Sequence, residues 1–238
     1  MSAIPLKKRP GGELAARPLH FIWIADCSGS MSVDGKIQQL NFAIRDSLPR
    51  MQAVADENPN AQVLVRVLKF ASGAQWHVSR PTPVADFKWQ DLSAEGVTDL
   101  GKALTMLADQ LKMPPMTDRA LPPVLVLISD GQPTDDFDKG LDALMAEPWG
   151  KKAVRIAIAI GEDADHGILQ KFIGHSELKP LRSNNPEALV RYIKWVSTAV
   201  LKSASAPSSQ APGSTVPGLN VPVPNVPAAG PDTANDVW

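Results

Sequence analysis

The chain has 238 residues, 24 Lys and Arg against 25 Asp and Glu, a formal net charge of −1, one cysteine and 22 prolines. That length gives one full domain with room for an appendage, and a hydrophobic share of 44% is ample for a buried core. The charge excludes broad electrostatic gathering of nucleic acid or anionic lipid, and a lone cysteine excludes an internal disulfide and a cysteine-built zinc site.

Residues 1–16 read as an N-terminal arm, basic but without the apolar segment of a secretory signal. No apolar run reaches the roughly 20 residues that span a bilayer, so a cytoplasmic location without membrane attachment is expected. The body, residues 17–202, alternates strand-like and helix-like patterns. His20–Asp26 is a short apolar run ending in an acid. Ser32–Ala55 switches to helical spacing through Ile37, Leu40, Ile44, Leu48 and Met51, with Pro49 predicting a kink or an early end. Val63–Ala71 and Gln75–Ser79 form a hairpin about Ser72-Gly73. Thr98–Leu111 places Leu100, Leu104, Leu107 and Leu111 on one helical face. Val124–Asp130 and Val154–Ile160 are almost wholly apolar, as strands covered on both sides are. Asp135–Met145, Asp165–Ile173 and Pro186–Leu201 read as helices, and Leu181–Ser183 as a short last strand.

Residues 203–238 carry seven of the prolines and no Lys or Arg, a composition that favours extended polyproline II and disorder. Val-Pro-Val-Pro within that tail is a candidate ligand for an aromatic groove, and Asp236-Val237-Trp238 a candidate anchor, although a plain linker is the simpler reading.

Strands alternating with helices predict an α/β fold, doubly wound, with a mostly parallel sheet flanked by helices. In such sheets ligands bind at the carboxyl ends of the strands, near the point where strand order reverses. Three segments arrive there. The first strand ends in Asp26-Cys27-Ser28-Gly29-Ser30, and a later one in Ser129-Asp130-Gly131. Between them, Thr98-Asp99 opens a helix. Alternation along Asp26, Ser28 and Ser30 can turn all three side chains to one side. Hydroxyls and carboxylates without imidazole or thiolate select a hard cation. Mg²⁺ suits a site with few protein ligands and retained waters. The shell in which each carboxylate acts stays open.

Asp-x-Ser-x-Ser, a Thr about 70 residues on and an apolar strand ending in Asp-Gly together resemble the von Willebrand factor A domain, over roughly Arg17–Leu201. The resemblance implies a Rossmann-like fold carrying a metal-ion-dependent adhesion site (MIDAS). There Ser28, Ser30 and Thr98 bind Mg²⁺ or Mn²⁺, and Asp26 and Asp130 support the ion. Asp26–Ser32 and Ser129–Asp136 are further similar to the bacterial TerY-type proteins, associated with tellurium resistance and stress. That likeness implies a scaffold or adaptor with a protein kinase and a PP2C-type phosphatase as partners. The proline-rich tail is not part of that pattern. Separately, an ion that the carboxylates support partly through water stays electrophilic and would draw an acidic residue from a protein partner, and no enzymatic role is expected.

Simpler readings stand beside these. Asp26, Ser28 and Ser30 can be a polar turn with caps, and Thr98 or Asp99 can cap a helix. Asp135, Asp136 and Asp138 suit the start of a helix, or else a basic partner beside the metal. Cys27 reads as a small strand-end residue. The four histidines have no ligand spacing, Trp23 is core, and Trp76 and Trp89 are core fillers before they are a binding platform. The rival classes are a Mg²⁺-dependent phosphatase or nucleotide hydrolase, for which no phosphate-binding loop is present, and a subunit of an AAA-ATPase machine.

Overall fold

The computed structural model describes residues 16–206 and 223–227. A six-stranded sheet runs through the molecule. Its strands are β1 (Arg17–Asp26), β2 (Ala61–Ala71), β3 (Gly73–Pro83), β4 (Val124–Ser129), β5 (Val154–Ile160) and β6 (Leu181–Ser183), in the order β3-β2-β1-β4-β5-β6. All pairings are parallel except β2 with β3, the hairpin about Ser72. β4 and β5 are buried along their whole length, and β1 from Leu19 onward, which is why these segments are nearly all apolar. The edge strand β3 is nowhere fully buried.

The helices are α1 (Lys36–Asp56), α2 (Leu100–Gln110), α3 (Phe137–Ala146), α4 (Pro148–Lys152), α5 (His166–Ile173), α6 (Pro186–Trp195) and α7 (Leu201–Ser205). α1 packs against α6 and α7, and α2 against α3. The second contact is close because it crosses at two glycines: a methyl on Gly140 would stand 2.3 Å from the Gly101 carbonyl oxygen.

Three local expectations change. The first helix begins at Lys36, after a 3₁₀ segment over Gly29–Gly35, because Asp34 and Gly35 both have positive φ and break the helical path. That helix neither ends nor breaks at Pro49 but runs to Asp56. A proline in a helix interior costs about 3 kcal/mol. Burying Met51 and Val54 beyond it contributes roughly 1.5–3 kcal/mol each, enough to offset the loss. The expected helix 186–201 is interrupted by a π-helical turn at Val196–Val200. There Ser197 and Thr198 hydroxyls donate back to the Ile193 and Lys194 carbonyls, which pulls those acceptors from the regular ladder. The short helix α4 carried no apolar period long enough to read.

Two arginines lie on strands otherwise apolar. Arg155 donates to the carbonyls of Phe172 and Gly150, satisfying backbone groups at the ends of α5 and α4. Arg66 bonds Gln110 and stacks 4.8 Å over Trp76, so that tryptophan packs on the core side of the hairpin. Trp89 donates to Asn41, and Trp23 is fully buried.

α7 ends at Ser205, with Ala204 and Ser205 buried. The N-terminal arm, apart from Ala16, lies outside the described residues, as do most of the tail and its Asp236-Val237-Trp238 end. The described part of the tail, Val223–Pro227, is without regular structure, and Val223 is buried in the core.

Candidate metal centre

The strand order reverses between β1 and β4, the two central strands, whose connections leave in opposite directions across the sheet. Their carboxyl ends therefore open a crevice between them. Asp26 closes β1 and Asp130 follows Ser129 at the end of β4. The loop before α2 brings Thr98 to the same place, held from two sides: Thr98 N–H donates to Thr134 Oγ1, and Thr134 N–H to the Thr98 carbonyl.

All five expected residues gather here. Ser28 Oγ and Ser30 Oγ lie 3.0 Å apart, and Ser30 Oγ donates to Asp130 Oδ1 at 2.7 Å. Asp26 Oδ1 accepts from Ser28 N–H at 2.8 Å. The expected strand alternation is not what aligns them. Ser28 precedes the 3₁₀ segment in extended conformation, without a side-chain cap bond, and Ser30 stands in the first turn, so a turn, not a pleat, brings the two hydroxyls together. Gly131 adjoins the cluster. A methyl built on it would stand 3.4 Å from Thr98 Oγ1, 3.8 Å from Asp26 Oδ2 and 3.8 Å from Ser30 Oγ. Three of the candidate donor atoms thus border one small space that the absence of a side chain keeps open.

The turn itself is fixed by backbone bonds. Gly29 N–H donates to the Gly96 carbonyl, Glu95 N–H to the Cys27 carbonyl, and Cys27 N–H to the Phe70 carbonyl. Gly96 has φ +82°, and a methyl there would stand 2.4 Å from Ser72 Oγ, so only glycine fits. A cavity of about 380 Å³ opens beside this stitch, bordered by Cys27, Lys69, Ser72 and Glu95.

Asp26 and Asp130 are both buried. Burial pushes the Asp26 carboxyl up to about 6, against the hydrogen bonds from Ser129 and Ser28, and the charge of Asp130 adds to the rise. Two acids in one buried crevice call for positive charge, and three neutral hydroxyls add oxygen without adding charge. That donor set fits a hard divalent cation. Among the described residues no group of three or more His, Cys, Asp and Glu converges, so a site of the soft or imidazole type has no candidate there. Burial pushes the Cys27 thiol up to about 12, which keeps it protonated and unreactive.

Four participants escaped the sequence reading. Ser129 donates to Asp26 Oδ2, and Lys36 pairs with Asp130 Oδ2 at 2.8 Å. Thr134 holds Thr98. Asp135 accepts from the N–H groups of Gly101 and Lys102, capping α2 from another element. Ser129, adjacent to Asp130, carried a signal by position, and Asp135 was expected at the start of its own helix, whereas it caps α2. The other acids of that run serve helix α3 and its surroundings: Asp136 caps α3 through Lys139 N–H, and Asp138 pairs with Lys171. Asp99, at the start of α2, accepts instead from Gly73 N–H and Lys102.

No family model matches the chain, and no curated protein does. Solved structures do. The von Willebrand factor type A protein from Catenulispora acidiphila superposes with a TM-score of 0.56 at 16% identity, over 78% of this chain and 43% of that one. An ArnB paralog from Sulfolobus acidocaldarius gives 0.54 at 18% identity, over 75% of this chain and 44% of that one. Proximal thread matrix protein 1 from the mussel byssus, whose MIDAS motif is occupied by zinc, gives 0.58 at 18% identity, over 79% and 47%. The chain spans less than half the length of these three structures. The fold is therefore that of the von Willebrand factor A domain, a mostly parallel, Rossmann-like sheet flanked by helices. No helix among the described residues is long and apolar enough to cross a membrane.

Proposed function

We propose that the chain is a metal-ion-dependent protein-binding module. Asp26, Ser28, Ser30, Thr98 and Asp130 would hold Mg²⁺ or Mn²⁺. A cation bound there supplies an electrophilic position that an acidic side chain of a partner protein can join. The observation that carries this reading is the convergence of two buried carboxylates and three hydroxyls at the carboxyl ends of β1 and β4. The residues of the chain orient the site: Ser129 and Ser28 fix Asp26, Ser30 and Lys36 fix Asp130, and Thr134 fixes Thr98. With Asp26 and Asp130 acting through water, the three hydroxyl ligands would leave the ion's charge largely unneutralised, which favours an incoming carboxylate. The zinc-occupied motif of the mussel byssus protein supports a divalent ion on this fold.

We favour a binding role over catalysis: the thiol beside the crevice, Cys27, is held protonated by burial. The setting proposed is a cytoplasmic bacterial stress or tellurium-resistance system with a protein kinase and a PP2C-type phosphatase as partners. Its support is the likeness of Asp26–Ser32 and Ser129–Asp136 to the TerY-type proteins. Pull-down with the full chain in Mg²⁺, repeated in EDTA and with Thr98→Ala, tests the reading. Partners retained only by the wild-type chain in Mg²⁺ support it, and an unchanged set in EDTA contradicts it.

A further inference from the structure

Lys36 is the first residue of α1, and its side chain is only 12% exposed. Its ammonium stands 2.8 Å from Asp130 Oδ2, while the other oxygen of that carboxylate takes the Ser30 proton at 2.7 Å. The Asp130 side chain is fully buried. Both of its oxygens are thus engaged, one by a hydroxyl that belongs to the candidate ligand set and one by a positive charge that does not. Asp26, the second carboxylate, has Ser28 N–H and Ser129 Oγ as its partners and, among the described residues, no cationic one.

We propose that Lys36 is a built-in counter-ion for Asp130 that competes with the divalent cation and weakens its binding, so that the site exchanges its ion instead of retaining it. This rests on the metal reading above. Two effects act in the same direction. Without a bound cation, Lys36 stabilises the buried Asp130 charge, and removing one partner of a buried pair leaves the other uncompensated. With a cation bound, the ammonium and the ion repel each other across a short, poorly screened distance. Lys36 therefore favours the ion-free form and disfavours the loaded one. A lysine that only anchored α1 would do neither.

The test compares the full chain with Lys36→Met and Lys36→Arg by Mg²⁺ titration calorimetry and by melting in EDTA and in Mg²⁺. Lys36→Met is expected to bind Mg²⁺ about tenfold or more tightly. It should melt lower than wild type in EDTA and gain more from Mg²⁺. Lys36→Arg, which keeps the charge, should follow wild type. A Lys36→Met chain that is unfolded in EDTA and folds on adding Mg²⁺ also supports the proposal. Unchanged or weaker Mg²⁺ binding by a folded Lys36→Met overturns it while leaving the metal reading standing. No binding by wild type overturns both.

Discussion

The Ser129 hydroxyl donates a 2.5 Å hydrogen bond to Asp26 Oδ2, tying the end of β4 to the end of β1 across the point where the strand order reverses. It is the largest of the interactions that offset the burial of Asp26. Ser129→Ala should therefore raise the Asp26 carboxyl further and cost about 1–2 kcal/mol of stability. A protonated acid is a poor ligand, so Mg²⁺ affinity near neutral pH should fall and recover in part as pH rises. Calorimetric titration at two pH values checks this.

Gly131 separates folding from ion binding. Its φ is not positive, and a methyl there makes ordinary contacts at 3.4–3.8 Å with Thr98, Asp26 and Ser30. Gly131→Ala should leave the melting temperature in EDTA close to wild type while removing most of the Mg²⁺-induced rise, because the methyl fills space a hydrated cation needs. Melting curves with and without Mg²⁺ measure both effects.

The acid sensitivity of the fold should come from His20. Burial, with the Arg66 charge adding, lowers it from 6.5 to about 4. Between those values the unfolded chain binds a proton that the folded chain does not, so stability falls as pH drops from 6.5 toward 4. The full effect is about 3 kcal/mol. Asp26 acts oppositely in EDTA: raised to about 6, it binds a proton on folding and gains stability as pH falls through that value. Urea denaturation across pH 4–8 should give a shallow dependence in EDTA and a steeper one in Mg²⁺, where Asp26 stays ionised. His20→Leu should flatten the Mg²⁺ curve.

Asp135 caps α2 through the Gly101 and Lys102 N–H groups, directly after the loop that carries Thr98. Asp135→Ala should lose about 1–2 kcal/mol, as removal of a helix cap does. Asp135→Asn, which keeps an acceptor, should lose less. Both are readable as shifts in the urea midpoint.

The inner strands were legible because burial on both faces demands largely apolar runs: Val154–Ile160 matches the expected bounds to the residue, as does the short edge strand Leu181–Ser183, whose middle residue Arg182 is exposed. The site was legible for a related reason. Strand ends in a parallel sheet face one side, so Asp26 and Asp130 could be placed together without coordinates. What stayed hidden depends on distance in space. Lys36 reaches Asp130 across 94 positions, and Asp135 caps a helix that begins 35 positions earlier. Nothing local marks Lys36, and the local signal at Asp135 points to the start of its own helix and not to α2. Pro49 does not end the helix because the core burial of Met51 and Val54 beyond it decides the outcome.

Asp26, Ser28, Ser30, Thr98 and Asp130 are proposed to bind one divalent cation. Calorimetric titration of Mn²⁺ into the full chain, beside Thr98→Ala, tests it most directly. Thr98 contributes a hydroxyl but no charge, so its loss should leave the fold intact. One ion per chain is expected, and a Thr98→Ala variant should bind more weakly by about tenfold or more, at least the loss that removing a supporting group causes. No saturable binding by the wild type, or equal affinity in both chains, would contradict it.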